Sequence, residues 1–268
     1  MKLKQLKPQK LGAGAFTFVV VCAIFSALAV MVLSAPASLV DLGVNQATQG
    51  RLRLADTQGT VWRGSGRIVL ADVAAEASSY TVTGLVLPGT FEWTIAGLPL
   101  FIGRVNAQLS GAGLITPIKL EGGLSELKIS ASRLVLPTVD LSRMGSPWNT
   151  FKPQASLDVQ WDNMTLRQGQ FTGKAVVELK DIASALTSVR PLGSYKVDVV
   201  GAGSSADVKL LTTQGPLSLT GNGVWNARQG LRLSIEALAD ETAKVKLQTL
   251  LSLMGRREGE KTIIRIGA

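Results

Sequence analysis

Arg104-Val105-Asn106-Ala107-Gln108-Leu109-Ser110 alternates without a break, each odd-numbered residue apolar and each even-numbered one polar. Alternate side chains of an extended chain point to opposite faces, so this segment reads as a strand with one apolar and one wet face. The same period of two sets Phe91, Trp93 and Ile95 on one face, and Leu157, Val159 and Trp161 on another. It recurs at Leu127, Ile129, Ala131, at Tyr195, Val197, Val199, and at Leu231, Leu233, Ile235. Half-buried antiparallel sheet is the natural home of such a pattern. Turn signals separate the runs: Gly111-Ala112-Gly113, Gly122-Gly123, Gly201-Ala202-Gly203, Gly215-Pro216 and Gly221-Asn222-Gly223. The expectation is a mainly β fold, an extended antiparallel sheet or a sandwich-like domain over residues 36–268.

Two segments in this region read as short helices. Asp181 to Val189 has Asp181 as N-cap and ends before Arg190-Pro191. Asp240 to Met254 carries Leu247, Leu250, Leu251 and Met254 at helical spacing, with Gly255 as a stop. The second is expected to pack its stripe on the sheet.

The first 40 residues have a different character. Residues 1–10 hold four lysines, Lys2, Lys4, Lys7 and Lys10, and no charge follows until Asp41. Residues 11–35 are dominated by Ala, Val, Leu, Phe and Ile. About 20 such residues in a helix cross a hydrocarbon layer. The segment 11–35 is thus expected to be a transmembrane anchor, with 1–10 as a cytoplasmic basic tail. The lysines set this topology, because basic residues stay inside. The rival is a cleaved signal peptide ending at Ala35-Pro36-Ala37, although such a segment has a shorter apolar stretch of about 7–15 residues. Both export the rest of the chain.

Composition removes most chemistry. The chain has no histidine, which excludes a Ser-His-Asp triad and a His-based zinc site. Its one cysteine, Cys22, lies in the apolar segment and can form no internal disulfide. Acids such as Asp158, Asp162, Glu178 and Asp198 fall on the polar faces of alternating strands, where solvent exposure is expected. The glycine pairs Gly64/Gly66, Gly111/Gly113, Gly201/Gly203 and Gly221/Gly223 lack the third glycine of a dinucleotide loop, and read as turns or close-packed strand positions. The net charge of +9 is spread singly outside the basic tail, Arg256-Arg257 being the only adjacent pair. Nucleic-acid binding needs a concentrated basic stripe and is not expected. No enzyme activity, cofactor or metal site is expected.

Two tryptophan segments remain. Val61-Trp62-Arg63-Gly64-Ser65-Gly66 precedes the alternating Ile68 and Leu70, and Gly215-Pro216-Leu217-Ser218-Leu219-Thr220-Gly221-Asn222-Gly223-Val224-Trp225 precedes Leu231 and Leu233. Each tryptophan would cap an apolar edge, while the Gly-x-Gly lets strands approach or kink. With Arg190-Pro191-Leu192-Gly193-Ser194-Tyr195 and the N-terminal anchor, these segments resemble protein N of the bacterial type II secretion system, across essentially the whole chain. That resemblance implies a single-pass inner-membrane protein with a periplasmic β domain, and Trp62, Gly64, Gly66, Pro191, Gly193, Tyr195, Gly221, Gly223 and Trp225 as its structural motif. It also implies partnership with inner-membrane platform subunits and the outer-membrane secretin, and no catalytic residues. The alternative is a periplasmic β-groove similar to the AsmA-like group, in which the apolar sheet face holds lipid.

Overall fold

The computed structural model describes residues 13–71, 84–123, 125–144, 148–226 and 229–267. Lys2, Lys4, Lys7 and Lys10, expected to set topology, lie outside them. Among the described residues seventeen strands form one sheet, paired antiparallel in a meander. β1 (Leu52–Gly59) pairs with β2 (Arg63–Ala71), whose other edge takes β3 (Gly84–Val86) and β4 (Phe91–Ile95) in succession. The order continues through β5 (Arg104–Gly111), β6 (Ile118–Gly123) and β7 (Glu126–Ile129). β7 and β8 (Ser132–Asp140) then run against β9 (Pro153–Trp161) and β10 (Met164–Arg167) as one long hairpin. The break in that hairpin is stitched by side chains: Trp161 Nε1 donates to Ser130 O, and Asn163 Oδ1 accepts from Ala131 N.

β11 (Gln170–Ser184) lies along both β10 and β9, joined to β10 by the turn Gln168-Gly169. Both turn residues have positive φ, 48° and 78°, as a two-residue hairpin of matching twist requires. β12 (Gly193–Gly203), β13 (Ser205–Gln214), β14 (Leu217–Asn226) and β15 (Gly230–Ala239) follow in order. At the far edge are β16 (Arg256–Glu258) and β17 (Lys261–Ile266), with β17 between β15 and β16.

The strand register shows what the alternation achieves. One cross-strand row runs Ile264, Ile235, Gly221, Leu210, Val197, Val177, Val159, Leu134 across eight strands of one face. Part of this inner face is sealed by helix α5 (Lys244–Met254), which buries Leu247 and Leu250 against a cluster including Tyr195, Leu210, Ile235 and Ile264. Each leucine so buried contributes about 1.5–3 kcal/mol. A second cluster gathers Leu85, Leu87, Phe91, Leu136, Val139 and Leu141, and half-buried Leu179 touches both.

The mainly β expectation holds, and the strands at 91–95, 104–111, 127–129, 157–161, 195–199 and 231–235 stand where the alternation put them. The helices are different from those expected. Asp181–Val189 is not helical: β11 continues to Ser184, with Ala183 opposite Gln154 and Ile182 opposite Gly193. Asp181, expected as an N-cap, instead has φ of 53° at an irregularity where the pairing shifts. Long-range pairing to two strands there outweighs a local helical propensity of a few tenths of a kcal/mol per residue. The second expected helix exists, starting at Lys244. Helices α2 (Ser38–Ala47), α3 (Gly97–Leu100) and α4 (Trp148–Phe151) and a 3-10 turn at Leu141–Met144 were not foreseen. Gly221-Asn222-Gly223, expected as a turn, lies within β14.

Helix α1 (Ala13–Leu33) precedes the sheet. Its described side chains, Phe18 to Leu33, are apolar apart from Ser26, and nearly all are exposed. Among the described residues no helix is long and apolar enough to cross a membrane, so the expected anchor over 11–35 finds no support there.

Candidate functional site

The motif residues fall into two joints and one strand. At the first joint, Trp62 sits in the connection between β1 and β2. Its indole Nε1 donates to Val32 O of α1 at 2.9 Å, and its ring lies against Gly97 at the start of α3. Gly64 and Gly66, in β2, leave room for the ring of Trp93: a Cβ at Gly64 would stand 2.5 Å from Trp93 Cζ2. Trp93 is buried and donates through Nε1 to Val61 O. The Gly-x-Gly is therefore a seat for a tryptophan from the neighbouring strand.

At the second joint the chain following Pro191 meets the chain following Gly215. Leu217 N donates to Leu192 O, and buried Tyr195 donates its hydroxyl to Leu217 O at 2.8 Å. Burial pushes the Tyr195 phenol far above its ordinary pKa, so the group is a hydrogen-bond donor at all working pH values. Gly193 is obligatory for close approach, since a Cβ there would lie 2.7 Å from Gln214 O. Gly221 and Gly223 belong to neither joint. They lie on the inner face of β14, facing Ile235 and Leu233 in register, and Trp225 continues that face opposite Leu231. The two tryptophan segments are consequently not equivalent: Trp62 precedes its strand and grips α1, whereas Trp225 lies within its strand and packs on the core.

Carboxylates are used to hold strands. Asp158, expected to be exposed, has a side chain only 9% accessible and receives Arg133 through Nε at 2.7 Å and Nη2 at 2.6 Å, with Lys180 Nζ at 3.3 Å. The Arg133 hydrogen bonds lower its pKa to about 2 against the opposing effect of burial. Asp158 stands directly opposite Glu178, and Lys180, which also pairs with Glu178, offsets that like-charge contact. Asp41 of α2 binds Arg53 and accepts from Leu54 N, fastening α2 to β1. Partial burial opposes its ionisation, but these bonds prevail and keep the carboxyl below its usual range. Among the described residues no group of acids and cysteine could hold a metal ion, and every buried side-chain polar atom has a partner.

The surface beside the first joint is apolar. Phe25, Leu28, Val32 and Leu33 of α1 form, with Trp62, Leu98 and Phe101, a cleft of about 550 Å³. The stretch 97–103, Gly-Leu-Pro-Leu-Phe-Ile-Gly, was not singled out by sequence reasoning. Its signal is an apolar run between two glycines that Pro99 bars from regular pairing.

Sheet edges are protected at both ends. β16 is three residues long and charged, and β1 is flanked by α2 and by the bridge Pro36–Thr60. Both devices blunt non-specific strand addition.

A family model described as type II secretion system (T2SS), protein N, matches residues 50–264. No curated protein and no solved structure matches.

Proposed function

We propose, from the premise that this chain belongs to the type II secretion system protein N family, that it is an inner-membrane-anchored assembly component whose β domain stands in the periplasm. The family is one of secretion-system components and not an enzyme family, so an accessory role in type II secretion, with other subunits as partners, follows from membership.

The finer reading is carried by the exposed apolar surface of α1. The 16 residues of α1 whose side chains are described, Phe18 to Leu33, give it an apolar surface about 24 Å long at 1.5 Å per residue. Phe18, Phe25, Met31 and Leu33 are all exposed, which is costly in water and favourable in lipid. Joined to the sheet through Trp62 and followed directly by α2, the helix would fix the domain close to the membrane. Tethering there raises the effective concentration of the domain for platform subunits. The motif residues serve as the internal frame of this domain, and Pro191, Gly193 and Tyr195 hold the turn region at one end of β12.

A second reading is favoured by one observation. Val159, Trp161, Phe171, Ala175 and Val177 are half-buried and belong to neither core cluster, although Val159, Trp161, Ala175 and Val177 share the inner face. That strip would suit a lipid chain, as in a β-groove. Purification of the full-length protein from native membranes in mild detergent, with mass spectrometry of proteins and lipids, separates the two. Recovery of secretin and platform subunits without excess lipid supports the assembly role. Stoichiometric lipid retained in their absence overturns it in favour of the groove.

A further inference from the structure

We infer that the segment Gly97–Gly103, helix α3 and the turn that follows it, is a second membrane-contact element, inserting Leu98, Phe101 and Ile102 into the outer leaflet of the same bilayer that holds α1. The inference rests on the anchor proposed above. Leu98 is 84%, Phe101 79% and Ile102 73% exposed, and among the described residues nothing covers them. Single exposed apolar residues are ordinary, whereas three large ones together on a loop tip call for an apolar partner.

What identifies that partner as lipid is continuity with α1. Leu98 and Phe101 face the helix across the cleft at the level of Phe25, Leu28 and Val32. Phe25 lies eight residues before the helix end at Leu33, about 12 Å along the axis. A bilayer that covers α1 to Leu33 therefore reaches the loop as well. Leu28, five residues before that end and about 8 Å along the axis, falls within the about 5–10 Å by which interfacial segments enter the acyl boundary, and Phe25 lies slightly deeper. Polarity changes at the right level. Trp62, whose indole nitrogen holds Val32 O, is placed where tryptophan favours the membrane–water boundary. Arg63 and Arg104, both exposed, immediately follow Trp62 and the loop, positioned to meet anionic headgroups.

The consequence is orientation. One helix fixes the domain's distance from the membrane and leaves its rotation free. A second contact beside it fixes which sheet edge faces the platform.

The test uses the full-length chain with Cys22→Ala, reconstituted in nanodiscs of phosphatidylethanolamine and phosphatidylglycerol. Single cysteines introduced as Leu98→Cys, Phe101→Cys, Phe25→Cys and Ser218→Cys carry an environment-sensitive fluorophore. Lipids bearing a nitroxide near the headgroup end of the acyl chain are the quenchers. The expected result is quenching at 98 and 101 several-fold above that at 218, together with quenching at 25. Quenching at 25 with 98 and 101 no different from 218 overturns the loop contact and leaves the anchor standing. An unquenched label at 25 overturns the anchor itself. Blue-shifted but unquenched labels at 98 and 101 assign the loop to a protein neighbour, and overturn the inference equally.

Discussion

Helix α5 and the loop at 97–103 are both apolar, yet one is sealed and the other bare. Leu247 and Leu250 are 0% and 1% exposed against the sheet, whereas Leu98 and Phe101 are almost wholly open. The difference lies in what each stripe can reach. The leucines of α5 repeat at helical spacing above a face already lined by Ile235, Ala237 and Ile264. The loop starts where Gly97 abuts Trp62, and Leu98, Phe101 and Ile102 beyond it meet no inner face among the described residues. Hydrophobicity thus serves folding at one site and is left uncovered among the described residues at the other.

Substitutions can break that contrast. Leu247→Ala should have the largest effect, a loss of about 2–5 kcal/mol, because the cavity beneath α5 cannot fill. Denaturant unfolding of the full-length chain in detergent, followed by tryptophan fluorescence, would measure it. Should the loss be below about 0.5 kcal/mol, α5 would be a loose lid rather than part of the core. Next, Gly64→Ala is expected to cost about 1–3 kcal/mol, since its Cβ would press on the Trp93 ring. Tyr195→Phe should cost about 1–3 kcal/mol by leaving Leu217 O without its donor. Both would locate stability in the joints and not in any surface the joints expose.

Acid provides a finer probe. The Asp158 pKa of about 2 lies below its ordinary 3.8, so its contribution is fully present above about pH 4 and is lost as pH falls through about 2. Asp158→Asn should remove about 1 kcal/mol of the stability otherwise lost across that window, a figure kept small because the half-exposed cations are screened by solvent. Acid titration of wild type and variant by circular dichroism would detect the change. An unchanged slope would mean that the residue is not ion-paired in solution. Smallest of all, Leu98→Ser with Phe101→Ser should shift folding stability by no more than about 0.5 kcal/mol in detergent, while weakening contact with the bilayer. A large stability loss would show instead that the loop packs within the protein.

The strands were legible wherever one face is buried, as at Arg104–Ser110 and Leu231–Ile235, because burial of alternate residues writes a period of two directly into the sequence. The motif glycines were legible as close-approach positions, but the residue each one accommodates was not. Gly64 seats Trp93 from another strand, and Gly193 accommodates a carbonyl from β13, contacts that span about 20–30 residues of chain. Asp158 was misjudged for a related reason. Its placement on the polar face was correct, yet Arg133 and Lys180 arrive from flanking strands and cover it. Asp181–Val189 was misread as a helix because local propensity is weak beside pairing on both edges of β11.

By itself the sequence determined the strand class, the apolar N-terminal stretch, the helix ending at Met254 and the lack of histidine chemistry. These depend on local period and composition, which any short window contains. Only the tertiary structure decided that the strands make a single meandering sheet, that Gly221 and Gly223 lie within a strand, and that Trp62 ties the sheet to α1. It alone separated the leucines that are buried from those that face outward. Such facts depend on register and on which distant segments meet, and a chain's local pattern carries the tendency to be buried without naming the surface that will do the burying.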